Sequence, residues 1–377
     1  MLGPEDNIAR SNLTQIEMDN FDQNRVLFMP TAFSILQEVM VWPHFLEADM
    51  GLEQALDLTY QGKPLGQSLD DFGELRMSND ALDNRDELVQ RMEDDGYLFL
   101  KGLLNKDDVL AARQEVMNRL MDAGVLDENY PAVDGIAAPQ SQIDGRATGT
   151  FMPLLARNNP PLDKVIHEGP IMDFYEFFLG GPVRYFDYTW FRCKRPGLNT
   201  ATTPHCDVVY MGRGTLDLYT SWIPYGDVPY DMGGLIVLEN SHKLSGLREG
   251  YSTTDVDLYC ENEGDAKAIV ESAQAEGRNL NNEERAAVHW NSSGAYSNDA
   301  IATREELGGR WLVSEYEMGD LLLFSVYTLH SSSDNHSNQY RISSDTRYQL
   351  ASEPVDERWI GDDPPAHGIR AKRGMVC

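Results

Sequence analysis

His205 and Asp207, two residues apart in the segment PHCDVV (204–209), are side chains that could hold a transition metal. In an extended strand, residues i and i+2 project to one face, so an imidazole and a carboxylate at this spacing serve the same point. A further histidine would complete a two-histidine, one-carboxylate facial set, the ligand type of non-haem iron(II) with open positions. A lone His-x-Asp is common by chance and in structural roles, so the third ligand decides the matter. His330 is the best placed of the eight histidines. It ends GDLLLFSVYTLH, an apolar strand with a Ser-rich exit, where a side chain meets a cavity mouth more readily than a packed core. His44, His167, His289, His336 and His367 fall in loop-like or helix-edge contexts and read as surface or structural residues. His242, in ENSHK, reads as a turn-capping residue.

Beyond His330 the chain turns through SSSDNHSN and returns as YRISSDTRY (340–348). With a period of two, Arg341, Ser343, Asp345 and Arg347 share one face. One reading is an exposed, charge-balanced face. The other is that one arginine grips a carboxylate with its two-pronged guanidinium. Arg341, eleven residues past His330, is near enough through one turn to stand beside the same metal. Arg347 is the alternative anchor, and is otherwise expected to partner Asp345.

The elements that must position these residues change character along the chain. The first eighty residues read as an irregular, partly helical extension wrapping the core. Residues 85–95 read as a helix with Leu88 and Met92 on one face and Gly96 to stop it. YLFLKGLL (97–104) reads as a buried strand, and Asn105 as the cap of a helix carrying Val109, Val116 and Leu120 on one side and closed by Gly124. The second half is a series of short strands rich in aromatic and β-branched residues, punctuated by Gly, Pro and Asn. No periodic helices separate them, so an antiparallel sandwich or barrel is expected over a parallel α/β sheet. The polar segment 244–307, with a helix near 265–276, reads as an insertion too polar to build its own core, and as a possible lid. The whole chain, 1–377, is expected to be one catalytic domain.

Composition sets outer bounds. Hydrophobic residues make up 41% and aromatics 10% of 377 residues, ordinary for a globular protein. The 61 acidic against 31 basic residues give a formal charge of -30, which repels phosphate backbones and anionic lipid, so neither nucleic acid nor membrane is an expected partner. Cys193, Cys206, Cys260 and Cys377 are scattered without the spacing of a disulfide framework or zinc site. With no signal-like N-terminus and no long apolar run, a reducing, cytoplasmic setting is expected.

Taken together, His205-x-Asp207, the distal His330 and Arg341 eleven residues on resemble the phytanoyl-CoA dioxygenase family of iron(II)- and 2-oxoglutarate-dependent oxygenases. The resemblance extends to DDGYLFLKGLLNKDDV, GGLIVLENSHK, LGGRWLVSEYEMGDLLLFSVYTLHSSSDN and RISSDTRYQ, roughly residues 83–359. It implies a mainly β fold with flanking helices, the double-stranded β-helix (a cupin-like jelly roll) with metal at its open end. It implies that His205, Asp207 and His330 bind Fe(II) and that Arg341 anchors the distal carboxylate of 2-oxoglutarate. It further implies that Ser332, Trp222 and Lys194 contact this cosubstrate, with Arg192 the other basic residue on the Lys194 strand. Cys206 stands where the family often has Gln. Because Asp207 fills the position that related halogenases leave to chloride, the resemblance implies O2-driven hydroxylation of a small-molecule substrate, with release of succinate and carbon dioxide. The same oxidation spent on desaturation, cyclisation or epimerisation is an alternative, and a cupin-like binding protein without turnover is a second. Coenzyme A thioesters are disfavoured by the charge, although RCKR (192–195) and Arg213 offer a basic entrance.

Overall fold

The structure, a computed structural model, describes residues 52–143, 151–288 and 293–377. Most of the expected N-terminal extension, residues 1–51, lies outside the described residues. What is described of it pairs with the rest of the chain. A hairpin joins Thr59–Tyr60 to Lys63–Pro64, and Phe72–Glu74 (β1) becomes an edge strand. Helix α1 (Arg85–Asp95) begins where Asn84 accepts the Glu87 N–H and ends at Gly96, whose φ of 77° is reached without a Cβ penalty. Strand β2 (Tyr97–Leu100) is shorter than the run 97–104, because the chain turns at Lys101 and Gly102, whose N–H donates to Asp320. Asn105 then caps α2 (Lys106–Asp122) through the Asp107 and Asp108 N–H groups, and Val109, Val116 and Leu120 are buried on its inner side. Helices α3 (Pro160–His167) and α4 (Pro170–Leu179) complete this layer.

The remaining strands are β3 (Val183–Tyr185), β4 (Trp190–Lys194), β5 (Tyr219–Pro224), β6 (Leu235–Leu238), β7 (Trp311–Val313), β8 (Leu321–Ser325), β9 (His330–Ser332) and β10 (Arg341–Leu350). They form a larger sheet in the order β2-β8-β5-β10-β3, with β4 also pairing to β10, and a smaller one in the order β9-β6-β7-β1. Each of these pairs is antiparallel except β7 with β1. This is the double-stranded β-helix, mainly β with flanking helices. Its logic is visible in β8. Leu322 and Phe324 meet Trp222, Leu235 and Val237 between the sheets, while Leu321 and Leu323 face outward and are covered by residues of the helical layer. Both faces are therefore dry, which explains a continuous LLLF run in place of alternation.

Segment 244–307 contains short helices, including Ala266–Glu276 where one was expected, and the strand Leu258–Cys260, which pairs in parallel with Arg373–Met375. Two expectations are corrected here. The segment does contribute a small core, with Val270, Ala273 and Val288 packing with Ile369. Cys260 and Cys377 form a disulfide, their Cα atoms 5.5 Å apart across a sequence separation of 117. That separation hid the pair, and the parallel strands bring it together. No helix among the described residues is long and apolar enough to cross a membrane.

Candidate metal centre and adjoining cavities

His330 opens β9, and a single antiparallel bridge couples its backbone to His205, with N–H to O distances of 3.0 Å in both directions. PHCDVV is therefore not a strand beyond that bridge. Asp207 lies in helical geometry (φ -67°, ψ -24°) at the head of the turn Val208–Met211. Alternation along a strand is thus not what brings His205 and Asp207 together; the bridge and the turn do. Asp334 steadies this region, accepting from the Thr200 and Ala201 N–H groups at 2.9 and 3.0 Å and from Thr59 Oγ1 at 2.7 Å.

The three side chains are buried and their donor atoms lie within 4.8 Å of one another. His205 Nδ1 is 2.8 Å from the Thr203 carbonyl and His330 Nδ1 is 3.0 Å from that of Thr328. A carbonyl only accepts, so both Nδ1 atoms carry the proton and both Nε2 lone pairs are free. They stand 3.7 and 4.0 Å from Asp207 Oδ1. The other oxygen, Oδ2, accepts from Thr220 Oγ1 at 2.5 Å and from Arg347 Nη2 at 2.8 Å. One carboxylate oxygen is thereby committed to the protein and one left for a ligand. Burial, with His330 adding to it, lowers the His205 pKa to about 3, and burial lowers that of His330, so both are neutral ligands. Burial alone would raise the Asp207 carboxyl, but the Arg347 guanidinium, helped by the Thr220 hydroxyl, holds it well below the usual carboxylate range. Two neutral nitrogens and one anionic oxygen converging on one point fit an iron(II) ion with further positions open.

Arg347 is the first surprise. It is buried, stacks 4.0 Å from the Trp190 ring and pairs with Asp207, whereas the expected partner Asp345 takes Arg192 Nε at 2.6 Å. Trp190 and Arg192 alternate on β4 beside this face, a cue that Arg347 had another neighbour. Arg341 shows the opposite pattern. Its side chain is buried, its one hydrogen bond is from Nη1 to Ser343 Oγ at 3.0 Å, and its Nε has no partner. Among the described residues no carboxylate lies within ion-pair distance of it. Burial lowers its pKa to about 10, and its guanidinium sits 5.5 Å from the Trp222 ring. A dry guanidinium without a counter-ion is costly, and the arrangement fits one that awaits an anion.

Arg341 lines a small recess with Trp222, Ser332, Arg192, His205 and His330. Ser332 Oγ accepts from Lys194 Nζ at 2.7 Å and from the Thr202 N–H at 2.9 Å, which leaves its own O–H to donate into the recess. Lys194 reaches the recess through Ser332; its ammonium is also bound to the Ser333 carbonyl, and burial together with Arg341 lowers its pKa strongly. Cys206 is buried and turned away, its Sγ 3.3 Å from the Tyr327 carbonyl. His242 bonds the Glu93 carbonyl at 3.0 Å, as befits a structural residue.

A second cavity, of about 400 Å³, is lined by His205 and Asp207 but not by Arg341. Phe151, Tyr188, Trp190, Tyr210, Met211 and Ala366 supply apolar wall, and Arg192, Thr202 and His205 are common to both spaces. His367, read from sequence as a surface residue, also lines it. Little local in the sequence marks His367, because Asp257, which holds its Nδ1, and Tyr210, which meets its ring, lie 110 and 157 positions earlier. Segment 244–307 supports the ligand loop from behind: the Tyr296 N–H donates to the Pro204 carbonyl at 2.8 Å and Tyr251 Oη accepts the Cys206 N–H at 3.3 Å. None of its described residues borders the cavity.

Comparison with known proteins completes the picture. The sequence model of the phytanoyl-CoA dioxygenase family matches residues 92–343. A relative from Streptomyces exfoliatus, a 1-deoxypentalenic acid 11-beta-hydroxylase, is 26% identical over 282 residues, 72% of this chain and 83% of that one. A protein of the same description from Streptomyces arenae is 25% identical over 301 residues, 75% and 87% of the two chains. The solved structure of EctD from S. alaskensis with 2-oxoglutarate and 5-hydroxyectoine overlays with a TM-score of 0.48 at 14% identity, covering 85% of this chain and 95% of that one.

Proposed function

The chain belongs to the phytanoyl-CoA dioxygenase family, and on that premise we propose that His205, Asp207 and His330 hold its iron while Arg341 receives the distal carboxylate of 2-oxoglutarate. It is an iron(II)- and 2-oxoglutarate-dependent oxygenase. Hydroxylation of a C–H bond in a small metabolite is the reaction this reading assigns to it, in line with the hydroxylases among its relatives.

The carrying observation is that two of three converging, unprotonated donors, His205 and His330, line one recess with a buried arginine that has no carboxylate partner among the described residues. A binding module needs no such combination. Bound at the triad, iron(II) supplies oxygen activation at the expense of 2-oxoglutarate, which leaves as succinate and carbon dioxide. The protein's part is orientation and exclusion of water. Thr203 and Thr328 fix the two imidazole tautomers; Arg347 and Thr220 fix the rotation of the Asp207 carboxylate. Arg341 and the Ser332 hydroxyl, the latter held by Lys194 and Thr202, grip the far end of the cosubstrate against the Trp222 wall. The substrate's place is the 400 Å³ cavity, which His205 and Asp207 line and Arg341 does not.

The test is succinate release from 2-oxoglutarate by iron-loaded protein, screened against small-metabolite fractions. Substrate-stimulated release in the wild type, lost in His205→Ala and His330→Ala, supports the assignment. Full release in either variant sinks it.

A further inference from the structure

One polar ring in the larger cavity is not used by the metal centre. His367 lies in the C-terminal segment, and its side chain keeps 32% exposure. Its Nδ1 is 2.9 Å from Asp257 Oδ2. The carboxylate accepts, so Nδ1 donates and Nε2 is the nitrogen left for a ligand. Nε2 has no hydrogen-bond partner among the described residues.

The ring is held on more than one side. Asp257 is fully buried and also accepts from Arg358 Nη1 at 2.6 Å and from the Lys372 ammonium. Lys372 in turn donates to the His367 carbonyl at 2.8 Å, so one buried charge cluster fixes both backbone and ring. Trp359 and Tyr210 meet the ring edge-on with centroids at 4.8 and 5.7 Å, and Tyr210 is itself 5.6 Å from His205. His367 therefore stands one aromatic ring beyond a metal ligand, aimed by a carboxylate that has no other access to solvent. Such fixing is what a selective hydrogen-bonding group requires.

The rest of the wall defines what that group would recognise. Phe151, Tyr188, Trp190, Tyr210 and Met211 are apolar or aromatic. The charges that reach the cavity cancel within the protein, Arg192 against Asp345 and Arg347 against Asp207. The overall charge of -30 thus has no uncompensated member here. At about 400 Å³ the space falls in the lower part of the range for small-molecule sites, roughly 300–1,000 Å³.

We propose that His367 is a specificity-determining residue, and that the substrate is a small, uncharged, predominantly apolar ring molecule whose hydroxyl donates to His367 Nε2. This rests on the reading of His205, Asp207 and His330 as the iron site facing that cavity. His367 also borders a second cavity of about 390 Å³ with Asn279 and Leu280, so the experiment must report where a ligand sits.

Manganese(II), a redox-silent stand-in for iron(II), is loaded into the wild type with 2-oxoglutarate, and NMR titrations follow 2-naphthol and naphthalene, rings of one shape differing by a hydroxyl. Paramagnetic broadening places each probe near the triad without any turnover. The expected result is broadening of both, with 2-naphthol bound at least about tenfold more tightly, since a placed polar partner discriminates strongly against an analogue lacking its group. In His367→Phe the preference falls to within about threefold while naphthalene and 2-oxoglutarate affinities are unchanged; His367→Gln, which keeps an acceptor, retains part of it. A preference that survives His367→Phe overturns the assignment, and so does a wild type that broadens neither probe or prefers neither. A wild type that takes up no manganese at all overturns the triad reading instead, and the proposal falls with it.

Discussion

Replacing Arg341 by methionine keeps most of the volume of the side chain and deletes its charge. In the protein without cosubstrate that charge is buried, paired with no carboxylate among the described residues, and leaves Nε without an acceptor there. Its pKa falls from the ordinary 12.5 to about 10, because burial outweighs the opposing pull of Asp345. At about 1.4 kcal/mol per tenfold step this amounts to about 3 kcal/mol held against folding. Arg341→Met should therefore leave the apo protein as stable as wild type or more stable, by up to about 3 kcal/mol, because a buried charge that burial still disfavours is exchanged for an apolar side chain. The cost should appear only on binding. Losing a desolvated charge partner typically weakens a complex by about 2–5 kcal/mol, roughly thirtyfold to several thousandfold in Kd. Apo stability is read from urea unfolding, and 2-oxoglutarate affinity from calorimetry on manganese-loaded protein. The two changes are opposite in sign, and that is the signature. A structural arginine would behave the other way. Apo stability falling by several kcal/mol with 2-oxoglutarate affinity held within about threefold would refute the reasoning. So would Arg347→Met reproducing the affinity loss while Arg341→Met does not.

Other outcomes follow from the same geometry. Thr220→Val removes one of two hydrogen bonds fixing Asp207 Oδ2 and should weaken manganese(II) binding by about tenfold, measured by calorimetry, with little loss of fold. Reducing the Cys260–Cys377 disulfide, or Cys377→Ser, should lower unfolding stability by about 2–4 kcal/mol, since the bond closes a loop of more than a hundred residues; an unchanged urea midpoint would show that the cross-link constrains nothing. The Asp257 carboxyl would be raised by burial, but His367 and Lys372 hold it below its ordinary 3.8. A depressed carboxylate contributes stability above its unfolded pKa and loses it as pH falls through the folded one. Asp257→Asn should therefore cost stability at pH 7 and flatten the acid limb of the stability curve below about pH 4. A parallel shift at all pH values would contradict this.

The separation between what was legible in the sequence and what was not follows the range of the interactions involved. Helix α1 and helix α2 were readable because their signals are local: Asn105 caps within three residues, Gly96 stops the first helix, and apolar spacing sets the buried faces. The strand-rich second half was readable from residue type, and its antiparallel character from the lack of intervening helices. The three candidate ligands and Arg341 were found as residue types at telling spacings. How they are held was not. His205 and Asp207 converge through a backbone bridge to residue 330 and a helical turn, not through the pleat of a strand.

Charge pairing was the least legible layer. Arg341, Asp345 and Arg347 alternate on one strand with nothing in their order to tell which is paired, and strand β4 with residue 207 assigned Arg192 to Asp345 and Arg347 to Asp207. That assignment left Arg341 without a carboxylate among the described residues, with only the Ser343 hydroxyl to donate to. The cystine at 260 and 377 and the aiming of His367 by Asp257 are of the same kind. Hydrogen bonds, ion pairs and disulfides act over a few ångströms, so partners more than a hundred residues apart leave no periodic trace in the chain. The sequence by itself determined which chemistry was on offer and the class of scaffold that would carry it. Only the tertiary structure decided which arginine was left without a carboxylate among the described residues, which histidine was aimed, and what shape of space lay beside the triad.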